Sequence, residues 1–282
     1  MAFDPIAYKK SITEEWDRAA QGWHRWSQSI NSWLDQATEA MLDQARITFG
    51  NRVIDIAAGD GGQSVGAAKR VGPTGEILAT DIAPEFVQLA NLAASQLGLK
   101  QLRAEVMDAE NLPLSDNYFD AAISRLGLMY LPDLQKGLSE IRRVLRSTGR
   151  VAAVVFTTAE KTPFFSIPVT IIRNKRGLPP PEPGQPGPFS LGTPGKLAEH
   201  LRTAGFRDVQ EQIIDSPLQF ESAEECVRWR REASGTLQEM LSGLDEVAKK
   251  AIWREIEEAM RQFETPSGFE SPCELLVCSA TK

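Results

Sequence analysis

Short apolar runs recur through the chain from residue 53 onwards and predict the strands of a buried sheet. Residues 53–57 are almost continuously apolar, as expected of a strand that is covered on both faces of a parallel sheet. Segments with helical periodicity separate these runs, so strand and helix alternate, which indicates a doubly wound α/β sheet. The predicted strands are residues 53–57, 76–80, 101–107, 119–124, 150–156, 206–220 and 274–281.

The first 48 residues have a helical pattern that is unusually rich in tryptophan. Four tryptophans follow one another at spacings of 7, 3 and 7, which places them on one helical stripe. Gly22 lies in the middle of this segment, so the pattern fits two helices as well as one. The stripe is typical of a face packed on the domain, although an aromatic lid over a cationic ligand would show it too. The four residues are Trp16, Trp23, Trp26 and Trp33.

Prolines and helical patterns beyond residue 156 predict a cover over one edge of the sheet. Six prolines crowd residues 177–188, too many for a helix or a central strand. The acidic and basic runs of the last helical part, including residues 228–231, are interpreted as solvated helix faces. The predicted parts are an N-terminal helical lid (1–48), a core (49–156), a proline-rich cap loop (157–192) and a C-terminal part (193–282) with a helical insertion (222–263) before the last strand.

Composition excludes several classes of function. The 282 residues carry a net charge of −7 without a long basic run, which argues against a nucleic-acid substrate. The chain has neither an apolar stretch of membrane-spanning length nor a secretory signal at its start. Its three cysteines and two histidines indicate a reducing cytoplasm and give a metal site little to be built from.

A glycine loop follows the first predicted strand directly. Gly59, Gly61 and Gly62 let the backbone turn sharply and let a ligand approach closely. The second strand then ends on Asp81, an acid that can accept hydrogen bonds from both hydroxyls of a ribose. Strand, loop, helix and second strand together predict one half of a nucleotide-binding sheet.

The loop favours a cationic nucleoside over a dinucleotide. A dinucleotide fingerprint needs a third glycine, where this chain has Ser64. In a dinucleotide site, backbone N–H groups of this loop would bind the pyrophosphate, and the negative charge of Asp60 would repel it. A nicotinamide-dependent oxidoreductase is therefore disfavoured, but it is kept as an alternative.

Further motifs connect this loop to a known family. The motif that begins at Asp55 resembles Asp-x-Gly-x-Gly-x-Gly of class I S-adenosylmethionine (SAM) methyltransferases, with Ala57 at its first glycine. Later segments resemble the ubiquinone/menaquinone C-methyltransferase type in both order and spacing, so that the similarity covers about residues 50–156. These segments are residues 108–113, 119–120, 124–133 and 145–150.

The resemblance implies a Rossmann-like, mostly parallel seven-stranded sheet and a role for individual residues. Asp81, followed by Ile82, would hold the ribose, and Asp108 would accept a hydrogen bond from the adenine amino group, with the Ala109 backbone against the ring. Asp60 would face the methionine part, and Arg125 would lie beside the cofactor. The implied cofactor-binding set is Asp55, Ala57, Gly59, Asp60, Gly61, Asp81, Ile82, Asp108, Ala109 and Arg125.

The leading hypothesis is a SAM-dependent methyltransferase that acts on a small molecule. Positioning alone can supply much of the catalysis of methyl transfer, so no catalytic residue is assigned. Trp23, Trp26 and Tyr130 are the candidate substrate contacts; Tyr130, His24 and the carboxylates are candidate bases, although His24 is expected at the surface. A SAM-binding protein with non-methylating chemistry is the second alternative, since a fold does not fix a reaction. The acceptor atom and the oligomeric state stay open.

Overall fold

The computed structural model describes residues 3–179 and 184–282, and two sheets lie within this part. The larger sheet has seven strands, and the smaller sheet has three. The strands are β1 (Arg52–Ile56), β2 (Glu76–Asp81), β3 (Leu102–Val106), β4 (Phe119–Arg125), β5 (Leu145–Phe156), β6 (Arg207–Asp215), β7 (Leu218–Phe220), β8 (Glu264–Thr265), β9 (Gly268–Ser271) and β10 (Glu274–Thr281).

The large sheet has the order β3-β2-β1-β4-β5-β10-β6. Strands β1 to β5 are parallel to one another, whereas β10 is antiparallel to both β5 and β6. The chain moves outward in one direction from β1 to β3 and in the other from β4 onwards, which opens a crevice at the carboxyl ends of the strands. The predicted seven-stranded, mostly parallel sheet is confirmed.

Helices cover the sheet and its ligand-binding edge. The helices of the described part are α1 (Pro5–Arg25), α2 (Ser27–Gln44), α3 (Gly62–Val71), α4 (Pro84–Gln96), α5 (Leu134–Val144), α6 (Pro163–Arg176), α7 (Lys196–Thr203), α8 (Ala223–Ala233), α9 (Gly235–Met240) and α10 (Glu246–Met260). Helix α2 contacts β5, β10 and α3. Helices α5 and α7 contact each other; α5 also contacts β5, and α7 also contacts β10 and β6. None of these described helices has both the length and the apolar character that crossing a membrane requires.

The N-terminal segment is two helices with different roles. Residues 1–48 were predicted to be a lid, but Leu34 and Met41 of α2 are fully buried against the sheet, so α2 belongs to the core. The chain bends at Trp26 and not at Gly22. Gly22 lies inside α1, at the point where α8 crosses it. The crossing leaves no room for a side chain, because a Cβ on Gly22 would lie 1.9 Å from the carbonyl oxygen of Glu232.

Three predictions for the outer part of the sheet were wrong. The predicted cap loop at residues 157–192 contains α6, whose capping Gly177 precedes most of the prolines; residues 180–183 lie outside the described part. Strand β5 starts at Leu145, five residues before the predicted start at residue 150, and its register against β4 shifts between Phe119 and Ala121. The predicted strand at 206–220 is two strands: Pro217, which has no N–H to donate, separates β6 from β7, and β7 joins the small sheet. The insertion at 222–263 is helical as predicted and holds three α-helices.

Candidate active site

A cavity lies at the carboxyl ends of β1 to β4 and extends beneath α1, α6 and α8. Its sheet side is formed by the loops that follow these strands. Most of the predicted cofactor-binding residues line it, but Asp55 and Gly61 do not. The predicted residues that line it are Ala57, Gly59, Asp60, Asp81, Ile82, Asp108, Ala109 and Arg125.

The loop after β1 turns through three residues with positive φ. Gly59 has φ 59° and Gly61 has φ 85°, whereas Ala57 adopts φ 55°, a value that suits glycine and strains other residues. The loop after β4 passes so close that a Cβ on Gly127 would lie 2.4 Å from the Cβ of Ala57. The alanine at the first glycine of the motif is therefore accommodated by a glycine in the neighbouring loop.

Asp81 fastens the glycine loop to the end of β2. Its Oδ2 accepts a hydrogen bond from the backbone N–H of Gly59 at 2.9 Å, and its Oδ1 accepts one from that of Ala83 at 3.0 Å. Burial raises the pKa of Asp81 to about 6, against the lowering effect of these N–H groups. Each carboxylate oxygen keeps a second acceptor site, and the residue lines the cavity.

Asp55 lies beneath the loop and is fully buried, so its predicted contact with a cofactor was wrong. Its carboxylate accepts hydrogen bonds from the Ser64 hydroxyl and from the Gln63 side chain, 3.2 Å away. These two residues start α3, so Asp55 fixes the helix against β1. Burial raises the pKa of Asp55 to about 7, and the two side-chain donors oppose that shift.

Asp55 should make the protein less stable as the pH rises from about 4 to about 7. An unfolded aspartate titrates near pH 3.9, so the folded state binds an extra proton across this interval. Asp55→Asn keeps the shape and removes the titration, because its oxygen can accept from Gln63 and its amide can donate to Ser64. Urea unfolding at pH 5 and pH 8 should show a smaller loss of stability in the variant. An equal loss in both proteins would contradict this role.

Asp108 follows β3 and is engaged by a lysine of α1. Its Oδ2 accepts from Lys9 Nζ at 2.8 Å, and its Oδ1 accepts from the backbone N–H of Glu110 at 2.9 Å. The same Lys9 ammonium lies 2.6 Å from the Glu110 carboxylate. Helix α1 is thereby joined to the edge of the sheet where the predicted adenine contact lies.

Arg125 ends β4 and is buried beside the loop after β1. It donates to the side-chain oxygens of Thr38 and Asn31 on α2, at 3.0 Å each. Burial lowers the pKa of Arg125, and the nearby carboxylates of Asp60 and Asp55 raise it. His24 on α1, which was expected at the surface, is only partly exposed, and its Nδ1 lies 3.2 Å from Asp60 Oδ2.

The far part of the cavity is aromatic. The Trp33 ring stacks on Phe156 at 6.1 Å between centroids and meets the edge of Phe164 at 5.4 Å, and Phe164 in turn lies 5.9 Å from Trp229. We call Trp33, Phe156, Phe164, Phe165 and Trp229 the aromatic cluster; all five line the cavity.

Two of the three predicted substrate contacts line the cavity. Tyr130 packs against Trp16, with ring centroids 5.5 Å apart, and burial raises the pKa of its hydroxyl. Trp23 also lines the cavity. Trp26 does not: its Nε1 donates to Glu232 at 3.0 Å, and its ring lies under the guanidinium of Arg228. The bend between α1 and α2 at this residue turns its side chain towards α8.

Comparison with known proteins identifies a domain within part of the chain. Residues 47–175 match the family described as "Methyltransferase domain". These residues are a methyltransferase domain. They hold β1 to β5, the glycine loop and every cavity-lining residue predicted to bind the cofactor.

Two curated relatives and one solved structure are similar to this chain. The chain is 34% identical over 148 residues to an uncharacterized protein of Mycobacterium tuberculosis and 32% identical over 149 residues to the ubiquinone/menaquinone biosynthesis C-methyltransferase UbiE of Burkholderia mallei. These matches cover 50% and 52% of this chain but only 53% and 61% of those proteins. The fold matches the YcgJ protein of Bacillus subtilis with a TM-score of 0.60 at 18% identity, over 88% of this chain and 98% of that one. At this identity the match shows a shared fold.

The positions of several groups around the cavity could not be predicted from the sequence. The run at 228–231 was predicted to be solvated, but Trp229 and Arg230 are buried in the cavity wall. Lys9 and His24 reach the site only because α1 folds back over the sheet. No local pattern marks them, since their partners lie 99 and 36 positions away in the sequence.

Proposed function

We propose that this protein transfers a methyl group from SAM to a small molecule held between the sheet and the helices α1, α6 and α8. One observation carries the proposal: a single cavity joins the carboxylate-lined edge of the methyltransferase domain to the aromatic cluster. The matches cover only 53% and 61% of the two curated relatives, so the activity of the whole chain is inferred from its own cavity.

The residues on the sheet side suit a cationic nucleoside. Asp81 would accept hydrogen bonds from the ribose hydroxyls, because each of its oxygens has one acceptor site left. Asp108 would accept from the adenine amino group, and the carboxylate of Asp60 would face the methionine part. SAM, when bound, supplies a methyl group on a positively charged sulfur. The acidic lining favours that charge and disfavours a pyrophosphate.

The chain's contribution to catalysis is positioning and exclusion of water. Holding two reacting groups in line can lower a barrier by roughly 7–11 kcal/mol. Burial keeps Tyr130 protonated at neutral pH, so its hydroxyl would orient an acceptor by a hydrogen bond and would not act as a base. His24, whose Nδ1 lies 3.2 Å from Asp60 Oδ2, is a candidate base beside the glycine loop.

The two alternatives are less well supported. A nicotinamide cofactor would need a glycine in place of Ser64, whose hydroxyl is committed to Asp55. A non-methylating SAM enzyme would share the cofactor edge, and only its product distinguishes it.

Titration with SAM followed by product analysis tests the proposal. Calorimetry should show one SAM site per chain, and incubation with phenols, quinols, amines and carboxylates should release S-adenosylhomocysteine with at least one of them. Tight NAD binding without SAM binding would favour the oxidoreductase. SAM binding with a transformed but unmethylated acceptor would favour the second alternative.

We predict that Asp108 discriminates the base of the cofactor. An S-inosyl analogue lacks the amino group and should bind the wild type about tenfold more weakly than SAM, because one charge-assisted hydrogen bond is lost. Asp108→Ala should abolish this difference, and Asp108→Asn, which keeps an acceptor oxygen, should retain part of it. Calorimetry with both ligands measures the difference. Equal binding of both ligands to wild type and variants would mean that Asp108 binds Lys9 and does not contact the base.

A further inference from the structure

Arg230 is a buried cation in the wall of the cavity, and no described residue supplies it with a counter-charge. Its side chain belongs to α8 and is 4% exposed. The guanidinium lies 4.3 Å from the ring centroid of Phe165 and 5.4 Å from that of Trp229, so aromatic faces surround it. Its Nη2 reaches the Ser234 hydroxyl at 3.4 Å, and its Nε has no hydrogen-bond partner among the described residues.

The other buried arginines of the described part are satisfied. Arg125 donates to Thr38 and Asn31 and is attracted by Asp60 and Asp55. Arg150 donates to one carbonyl and two hydroxyls. Arg230 alone among them makes only one long hydrogen bond, although a guanidinium has five N–H donors.

The groups nearest to Arg230 cannot balance its charge. Burial lowers the pKa of Arg230 to about 10, so it is still a cation at neutral pH. Burial also raises the pKa values of the Tyr130 hydroxyl and of the Cys226 thiol, the latter to about 12, so both stay neutral. A buried, unpaired charge is strongly destabilising and is retained where a ligand neutralises it.

A second unsatisfied donor lines the same cavity. The Nε1 of Trp229 is buried and has no hydrogen-bond partner among the described residues. Trp229 and Arg230 both line the cavity, and the rings around them form the aromatic cluster. The wall therefore offers a positive charge and unused N–H groups inside an apolar enclosure.

We propose that Arg230 binds the carboxylate of the acceptor, and that the acceptor is a small aromatic carboxylic acid. This inference rests on the proposed function, since it names the substrate class of the same cavity. One guanidinium matches one carboxylate in charge and in its forked geometry, and the surrounding rings match an aromatic body. The other cations among the described lining residues are already engaged, Lys9 by Asp108 and Glu110 and Arg125 by Thr38 and Asn31, so a phosphate dianion would meet only one uncommitted cation.

The test compares a carboxylate with its neutral isostere on the full chain saturated with S-adenosylhomocysteine. Phenylacetate and phenylacetamide, with indole-3-acetate and indole-3-acetamide as a second pair, are titrated while tryptophan fluorescence is followed. Wild type should bind at least one acid about tenfold or more tightly than its amide, as expected when charge-assisted hydrogen bonds are lost. Absence of this preference in both pairs overturns the proposal without any variant.

Matched variants assign the preference to Arg230. Arg230→Met should abolish the preference and Arg230→Lys should retain part of it. Arg228→Met is the control, because Arg228 is exposed on the same helix and pairs with Glu225; it should keep the preference. A preference that survives in Arg230→Met overturns the assignment to Arg230.

Two further measurements separate this inference from the proposed function. Arg230→Met should bind S-adenosylhomocysteine within about twofold of wild type; failure of wild type to bind it contradicts the proposed function and not the carboxylate preference. Arg230→Met should also unfold at a higher temperature than wild type when no ligand is present, since an unpaired buried charge is removed. A lower unfolding temperature would mark Arg230 as a structural residue and overturn the proposal.

Discussion

Replacing Asp81 by alanine should weaken SAM binding by about ten- to a hundredfold. The proposed contact to the ribose is a charge-assisted pair in a buried setting, and losing such a pair costs roughly 1.5–3 kcal/mol. The variant also frees the backbone N–H of Gly59, which Asp81 now holds at 2.9 Å, so the glycine loop loses its connection to β2. Isothermal titration calorimetry with SAM gives the affinity directly.

A matched control separates the contact from a general effect of lost charge. Glu105→Ala removes an exposed carboxylate from β3, the strand paired with β2, and should leave SAM affinity unchanged. Circular dichroism should confirm that both variants are folded. Unchanged affinity in a folded Asp81→Ala protein would remove the ribose assignment.

Gly22→Ala should loosen helix α1 from the rest of the protein. The added methyl group would lie 1.9 Å from the carbonyl oxygen of Glu232 on α8, so one helix must move. Overpacking of this kind costs roughly 1–3 kcal/mol, which corresponds to a fall of about 2–12 °C in the unfolding temperature for a domain of this size. Lys9, Trp16 and Trp23 lie on α1, and their displacement should lower turnover more than the loss of stability alone explains.

Gly187→Ala is the control for this substitution. A Cβ on Gly187 meets no atom within 4 Å, and its backbone N–H still donates to Met129. Thermal unfolding and hydrogen exchange in residues 5–25 should therefore change in Gly22→Ala and not in Gly187→Ala. Similar exchange rates in both variants would show that α1 accommodates the added methyl group without moving.

The sequence was sufficient for the parts of the site that depend on local order along the chain. Buried strands have a continuous apolar pattern, and the residue that follows a parallel strand lies at the ligand-binding edge, so Asp81 and Asp108 could be placed. Asp55 was misplaced because a motif position does not tell whether a side chain faces the ligand or the helix below it.

The residues that were missed depend on how distant segments pack. Four tryptophans at these spacings share one stripe only along a continuous helix, and the bend at Trp26 turns that residue away while Trp23 and Trp33 line the cavity. Arg230 lies in a run of charges that is usually solvated, and it is buried because α8 packs on α1 while its guanidinium lies against Phe164 and Phe165 of α6. A pattern along one helix cannot show which face another element will cover.

The loops after β1 and β4 share the space of a single methyl group. Ala57 fills that space from one side, and Gly127 leaves it free from the other. A side chain can therefore be gained at position 127 only after position 57 has lost its own, so the order of substitutions matters. The contact between these loops therefore limits the order in which two positions 70 residues apart in the sequence can change during evolution.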